Sequence, residues 1–198
     1  MFFIGVKDKT ADTVDRVALF ERLIQDSYKP AYGLAYRLTG NASEAEDLVQ
    51  ESFVRAYRFF HRYDESLPFT SWLYRIMTNA HIDSVRRRGR LKTTSLEASG
   101  TDGSTTWDLP DLESSPDRVM LQDSLDEPVQ KALLSMTPEF RTAVLLADVE
   151  GMAYEEVAEI MRTSVGTVRS RIHRGRKQIR SYLLKHAPQT YRSYCDEL

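Results

Sequence analysis

Apolar residues recur at three- and four-residue spacing through most of the chain. Val17, Phe20, Leu23, Ile24, Ala31, Ala35 and Leu38 form the first stripe, the mark of a helix that buries one face. Pro30 lies inside it and is expected to kink or divide the helix, because proline lacks an N–H and crowds the preceding turn. Thr39-Gly40-Asn41 supplies a glycine stop. Ser43 then opens an S-x-x-E pattern with Glu46, a capping-box signature. The next stripe carries Leu48, Val49, Phe53, Ala56 and Phe60, and the segment YDESLPF at 63–69 breaks it. A third stripe follows with Phe69, Trp72, Leu73, Ile76, Met77 and Ala80. Nothing alternates with period two for long enough to suggest a sheet.

The periodicity lapses over 91–116, which is rich in Ser, Thr, Gly and Asp. Between Glu97 and Glu127 nine residues are acidic and only Arg118 is basic. Like charge with low hydrophobicity resists packing and predicts a flexible acidic linker. Trp107, Leu109 and Leu112 suggest that part of it docks onto something. Helical patterning returns over 117–187. A short helix is expected after Asp126-Glu127-Pro128, and Thr137-Pro138 gives an N-cap followed by proline at the first helical position. FRTAVLLADVEG runs to Gly151, YEEVAEIM at 154–161 is a short helix, RTSVG turns the chain, and a long helix starts near Ser164 or Val165. The expected fold is all-α: two small helical domains, 14–90 and 117–187, joined by the linker at 91–116.

Charge sharpens this picture. The formal net charge is −2, yet SVGTVRSRIHRGRKQIR at 164–180 holds Arg169, Arg171, Arg174, Arg176, Lys177 and Arg180 and no acid. Acidic residues are missing from Ile160 to Ala187, whereas solubility alone favours mixed signs. Two short helices across a tight turn, the second strongly basic, make a helix-turn-helix pattern. Val157, Ala158, Val165, Val168 and Ile172 are the expected crossing core, with Ile179 and Leu183 further along the inward face. Arg169, Ser170, His173, Arg174 and Lys177 fall on other faces, available to a DNA groove, where Arg pairs with guanine and Arg or Lys with phosphate.

In the first domain, Asp47, Gln50 and Glu51 lie on adjacent turns and make an acidic-polar patch. Beyond them aromatics and bases interleave: Arg55, Tyr57, Arg58, Phe59, Phe60, His61, Arg62, Tyr63, Phe69, Trp72, Tyr74 and Arg75. Such interleaving suits single-stranded DNA, whose bases stack on rings while cations track phosphate; Phe53, Phe60 and Trp72 also read as core.

Other classes are excluded on composition. Cys195 is the one cysteine, so no internal disulfide is expected, and the four histidines show no metal-ligand spacing. No Gly-rich phosphate loop and no G-x-S-x-G elbow occur. We expect no enzyme, no cofactor and no metal. No apolar run approaches the ~20 residues that span a bilayer, and FFIGV at the N-terminus is too short for a signal peptide. A cytoplasmic protein without membrane insertion is expected.

The stretch YEEVAEIMRTSVGTVRSRIHRGRKQIR resembles the C-terminal DNA-binding domain of bacterial extracytoplasmic-function (ECF, group IV) RNA polymerase sigma factors, and its GTVRSRI core is specific. NASEAEDLVQESFVRAYRFFHRYDESLPFTSWLYRIMTNAHIDSVRRR resembles the N-terminal sigma domain of the same family. The resemblance covers roughly residues 14–185. One departure is Ala153, where many members carry a capping Ser or Thr; its loss costs about 1 kcal/mol.

The resemblance implies an initiation factor that binds core RNA polymerase through the largest-subunit clamp coiled coil and the flap, with Asp47, Gln50 and Glu51 as polar contacts. It implies that the loop at 63–70 captures a flipped base of the −10 element, which can hold a duplex open without chemistry. Arg58, Tyr63, Asp64, Ser66, Thr70, Trp72, Asn79, Asp83 and Arg86 are the expected −10 contacts, and Arg86, Arg87, Arg88 and Arg90 are expected to add phosphate contacts. Arg169, Ser170, Arg171, His173, Arg174 and Lys177 are the expected −35 contacts, with Arg176 and Arg180 touching phosphate or solvent. The linker would thread the polymerase, an anti-sigma factor would be the regulatory partner, and the setting would be a stress response. A stand-alone helix-turn-helix regulator is the alternative; it predicts tight operator binding without polymerase.

Overall fold

The computed structural model describes residues 9–96 and 125–196, with side chains at 16–88 and 125–192. The linker expectation, including Trp107, Leu109 and Leu112, and the side chains of Arg90 and Cys195 lie outside these residues. The described residues form helices and turns without a strand.

Three helices make the first bundle: α1 (Lys9–Thr39), α2 (Ala42–Phe59) and α3 (Phe69–Leu96). Pro30 does not divide α1, which runs through it. Gly40, at φ +72°, turns the chain, a conformation glycine adopts without a Cβ penalty. The cap that follows is Asn41 rather than Ser43. Asn41 is extended, and its side chain accepts from the Glu44 N–H at 3.1 Å. The turn at Gly40 brings the helix start forward, so Ser43 is already inside α2. Leu34, Ala35, Leu38, Val49, Ala56, Leu73 and Met77 are buried between the helices. Val17, expected on the inward stripe, is 37% exposed.

The second bundle holds α4 (Glu127–Leu134), α5 (Pro138–Val144), a π turn at Leu145–Val149, α6 (Tyr154–Ile160), α7 (Val165–His186) and α8 (Pro188–Asp196). Thr137 takes the N-cap position of α5 without a side-chain bond, whereas the Ser164 hydroxyl caps α7 by accepting from the Thr167 N–H at 3.2 Å. Ala153 leaves half a capping box: Glu156 accepts from the Ala153 N–H at 3.0 Å, with no reciprocal hydroxyl. Val157, Ala158, Val168, Ile172 and Leu183 are buried, and Val165 and Ile179 are half-buried beside them.

The two bundles are docked and share one core. Leu134 of α4 packs onto Gly40, where a Cβ would come within 2.4 Å of Leu134 Cδ1. Arg141 of α5 is 6% exposed. It donates to the carbonyls of Leu133 and Leu134 at 2.9 Å, of Met136 at 3.1 Å, and of Leu38 at the end of α1. Burial lowers its pKa to about 10. Glu150 joins the bundles a second time, accepting from Arg37 at 3.2 Å and from the Tyr74 hydroxyl at 2.9 Å.

Candidate nucleic-acid interface

On α2 the inward positions are Ala45, Leu48, Val49, Ser52 and Ala56. The 3.6-residue period therefore turns Asp47, Gln50 and Glu51 outward together, and all three are exposed. Glu51 also pairs with Arg55 one turn on. The same face continues through Val54 and Tyr57, which are 61% and 60% exposed. Composition did not single these two out for this face. Their signal is the i+3/i+4 continuation of the acidic patch, and the result is a face mixing carboxylates with apolar groups.

The loop after α2 begins with a 3-10 turn at Phe60–Arg62. Tyr63 is half-buried, with its ring centroid 5.6 Å from Phe60, 5.4 Å from Phe69 and 5.3 Å from Trp72. Its hydroxyl donates to the Leu67 carbonyl at 2.6 Å, which closes the loop on itself. Desolvation, then Glu65 and Asp64, raise the Tyr63 pKa, so the hydroxyl stays a donor. Asp64 accepts from the Ser66 N–H at 3.0 Å, and hydrogen bonds from Ser66 hold its carboxyl below the usual carboxylate range. Tyr63, Asp64 and Ser66 thus spend bonding capacity on shaping the loop. Leu67, 59% exposed at its tip, leaves a large apolar group facing outward.

Along α3, Trp72, Asn79, Asp83 and Arg86 recur at helical spacing on one side, with Thr70 in the first turn. Trp72, Thr70 and Asn79 are half-buried, whereas Asp83, Arg86 and, on α2, Arg58 are exposed. Asn79 donates to the Arg75 carbonyl at 2.6 Å, and Arg86 reaches across the junction to Glu139 at 3.3 Å. Two expected phosphate contacts differ in kind. Arg87 is exposed, but Arg88 is bidentate to Glu44 at 2.8 and 3.3 Å, tying α3 to the start of α2.

On α7, burial of Val168, Ile172 and Gly175 turns Arg169, Ser170, His173, Arg174 and Lys177 outward, all exposed, with Arg171 half-buried at the flank. Arg176, expected to touch phosphate or solvent, is exposed and also paired. Its Nε and Nη2 donate to the two carboxylate oxygens of Asp148 at 2.9 and 2.6 Å. That pairing raises its pKa further, so the charge is fixed. Among the described residues no cluster of His, Cys, Asp and Glu is placed to hold a metal, and no helix is long and apolar enough to cross a membrane.

Two family models match in tandem: Sigma-70 region 2 over residues 23–91 and Sigma-70, region 4 over residues 126–179. The chain is 43% identical over 183 residues to the ECF RNA polymerase sigma factor SigE of Mycolicibacterium smegmatis, covering 91% of this chain and 68% of that protein. It is 36% identical over 162 residues to the ECF RNA polymerase sigma factor SigW of Bacillus subtilis, covering 81% of this chain and 87% of that one. Among solved structures, the sigma factor RpoE in complex with the anti-sigma factor NepR from Bartonella quintana matches with TM-score 0.63 and 24% identity, over 83% of this chain and 96% of that one. CnrH in complex with the cytosolic domain of CnrY matches with TM-score 0.55 and 23% identity, over 85% and 89%. These two share the fold.

Proposed function

Because this chain belongs to the ECF RNA polymerase sigma factors of the sigma-70 family, we propose that it docks on core RNA polymerase and directs it to promoters, with each bundle reading one promoter element. One observation carries the reading: a capped helix, α7, presents an outward face of Arg169, Ser170, His173, Arg174 and Lys177, without an acid, beside the apolar crossing of a helix-turn-helix. That face, with Arg171 at its flank, reads the −35 element in the major groove, where the early turns of a recognition helix meet base edges. The loop closed by Tyr63 and Asp64 and the α3 side carrying Asn79, Asp83 and Arg86 engage the −10 strand. The α2 face of Asp47, Gln50, Glu51, Val54 and Tyr57 meets polymerase.

The working units are 14–90 and 117–187, with the acidic linker between them running through the polymerase. Catalysis belongs to the polymerase, the setting is the cytoplasm, and an anti-sigma factor is the regulatory partner. In the docked form Arg86 is held by Glu139. Releasing an exposed pair costs less than about 1 kcal/mol, so polymerase binding can free it. The stand-alone regulator is disfavoured because the first bundle matches region 2 rather than a ligand sensor.

The test is promoter-dependent transcription with purified core polymerase, comparing wild type with Asp47→Lys/Glu51→Lys. The double variant should keep its helical content yet lose polymerase binding by several kcal/mol, roughly a hundredfold or more, from charge mismatch at the contact. Unchanged polymerase binding sinks the placement of that face, and tight sequence-specific DNA binding without polymerase favours the regulator.

A further inference from the structure

The basic face of α7 can read bases only if the helix lies at a set depth and a set rotation about its own axis. Two adjacent residues bear on both, Gly175 on the buried side and Arg176 on the exposed flank. Gly175 is buried where α7 crosses α5: a Cβ there would fall 2.5 Å from Val144 Cγ2 and 3.6 Å from the Phe140 carbonyl. Glycine is a poor helix former, and in the middle of a 22-residue helix it allows an approach that alanine would block. The next residue, Arg176, grips Asp148 through two parallel bonds of 2.9 and 2.6 Å. Tyr154, at the first position of α6, lies near the same guanidinium and adds to the upward shift of its pKa. One side chain of α7 thus ties the helix to the π turn after α5.

We infer that Gly175 and the Asp148–Arg176 pair are positioning elements that set the depth and axial rotation of α7, and through them −35 specificity, and that Arg176 itself does not touch DNA. A bidentate guanidinium–carboxylate pair fixes direction as well as distance. A helix with side chains has a radius of about 5–6 Å, so a rotation of about 20° carries a base-reading tip about 2 Å. That exceeds the tolerance of a hydrogen bond. Loss of the pair therefore blurs several base positions together, whereas loss of a base reader such as Arg174 affects one.

The inference rests on the assignment of α7 to the −35 element, and the experiment separates the two. Wild type, Asp148→Ala, Arg176→Ala and the double alanine variant are reconstituted with core polymerase and run on a panel of single-base −35 variants. The readout is each variant's output divided by output on the best promoter, a ratio that a smaller folded fraction leaves unchanged. Both single variants are expected to flatten the ratios by about five- to tenfold at several positions, within the range that a base contact supplies. The double variant should be no worse than either single one, as for residues acting through one contact. Salt dependence of promoter binding should stay at the wild-type slope. A phosphate-contacting Arg176 makes the opposite pattern. Asp148→Ala, having removed a negative charge beside DNA, would raise output on every promoter, and Arg176→Ala would lower it evenly and reduce the salt slope by about one. That pattern overturns the inference, as does a variant set that keeps the wild-type ratios. A wild-type holoenzyme indifferent to −35 base changes overturns the assignment of α7 and the inference with it.

Discussion

At the crossing of the helix-turn-helix the buried side chains are Val157, Ala158, Val168 and Ile172, all apolar. The junction between the bundles buries a guanidinium and an amide in Arg141 and Gln130, and the imidazole of His81 is buried on α3 within the influence of Arg141. The apolar crossing is formed by residues close in sequence and gains from every contact that excludes water. The junction is directional: its bonds join residues 76, 103 and 113 positions apart, and each needs its own geometry. A hydrogen bond exchanged for water nets only about 1 kcal/mol. The crossing is therefore held by apolar contact, whereas the junction adds directional bonds to its apolar packing and is specific in its geometry. Arg141 makes the asymmetry concrete. Its acceptors at Leu133, Leu134 and Met136 belong to its own bundle, and only Leu38 lies across the junction. Separation costs it one partner.

Arg141→Ala should be the largest single effect, because it strands buried carbonyls at the α4–α5 corner as well as at the end of α1. A loss of about 3–5 kcal/mol is expected, in the range for removing one partner of a buried charged group. Urea unfolding followed by circular dichroism measures it. A loss below about 1 kcal/mol would mean that Arg141 only tethers the bundles, and the asymmetry drawn above would fail.

His81 sharpens the comparison through pH. It is 4% exposed, and its Nε2 has no hydrogen-bond partner on the protein. Burial first, then the charges of Arg141 and Arg88, lower its pKa from 6.5 to about 4. The unfolded chain therefore takes up this proton at higher pH than the folded one. Stability from this group is complete above about pH 6.5 and falls as pH drops toward 4, by about 2 kcal/mol at pH 5. Unfolding free energies at pH 7.5 and pH 5, for wild type and His81→Leu, isolate it. The variant should lack this part of the slope, and an equal slope in both proteins would assign the acid sensitivity elsewhere.

Glu150→Gln should be smallest, at about 1 kcal/mol, since it removes one charge from a pair whose side chains are about 15% exposed. Melting temperatures at low and high salt test it. The wild type should lose more stability on adding salt than the variant does, and parallel salt responses would show that the pair contributes through packing rather than charge.

The order of helices, the glycine turn at Gly40 and the outward face of α7 are legible in the sequence, because each depends on residues within about four positions and on a fixed helical period. So is the choice of Asp47, Gln50 and Glu51 as one exposed face. The period tells which residues turn outward; it does not tell which outward cation meets an anion. Arg86, Arg88, Arg174 and Arg176 look alike along the chain. Only the tertiary structure gives Arg88 to Glu44 and Arg176 to Asp148, 44 and 28 positions away, and leaves Arg174 exposed. It also decides that Asn41 caps α2, since the cap depends on where the backbone leaves the turn. The docking of the bundles through Arg141 and Glu150 is likewise a tertiary outcome. Its partners are backbone carbonyls and distant side chains, and neither leaves a periodic trace in the sequence.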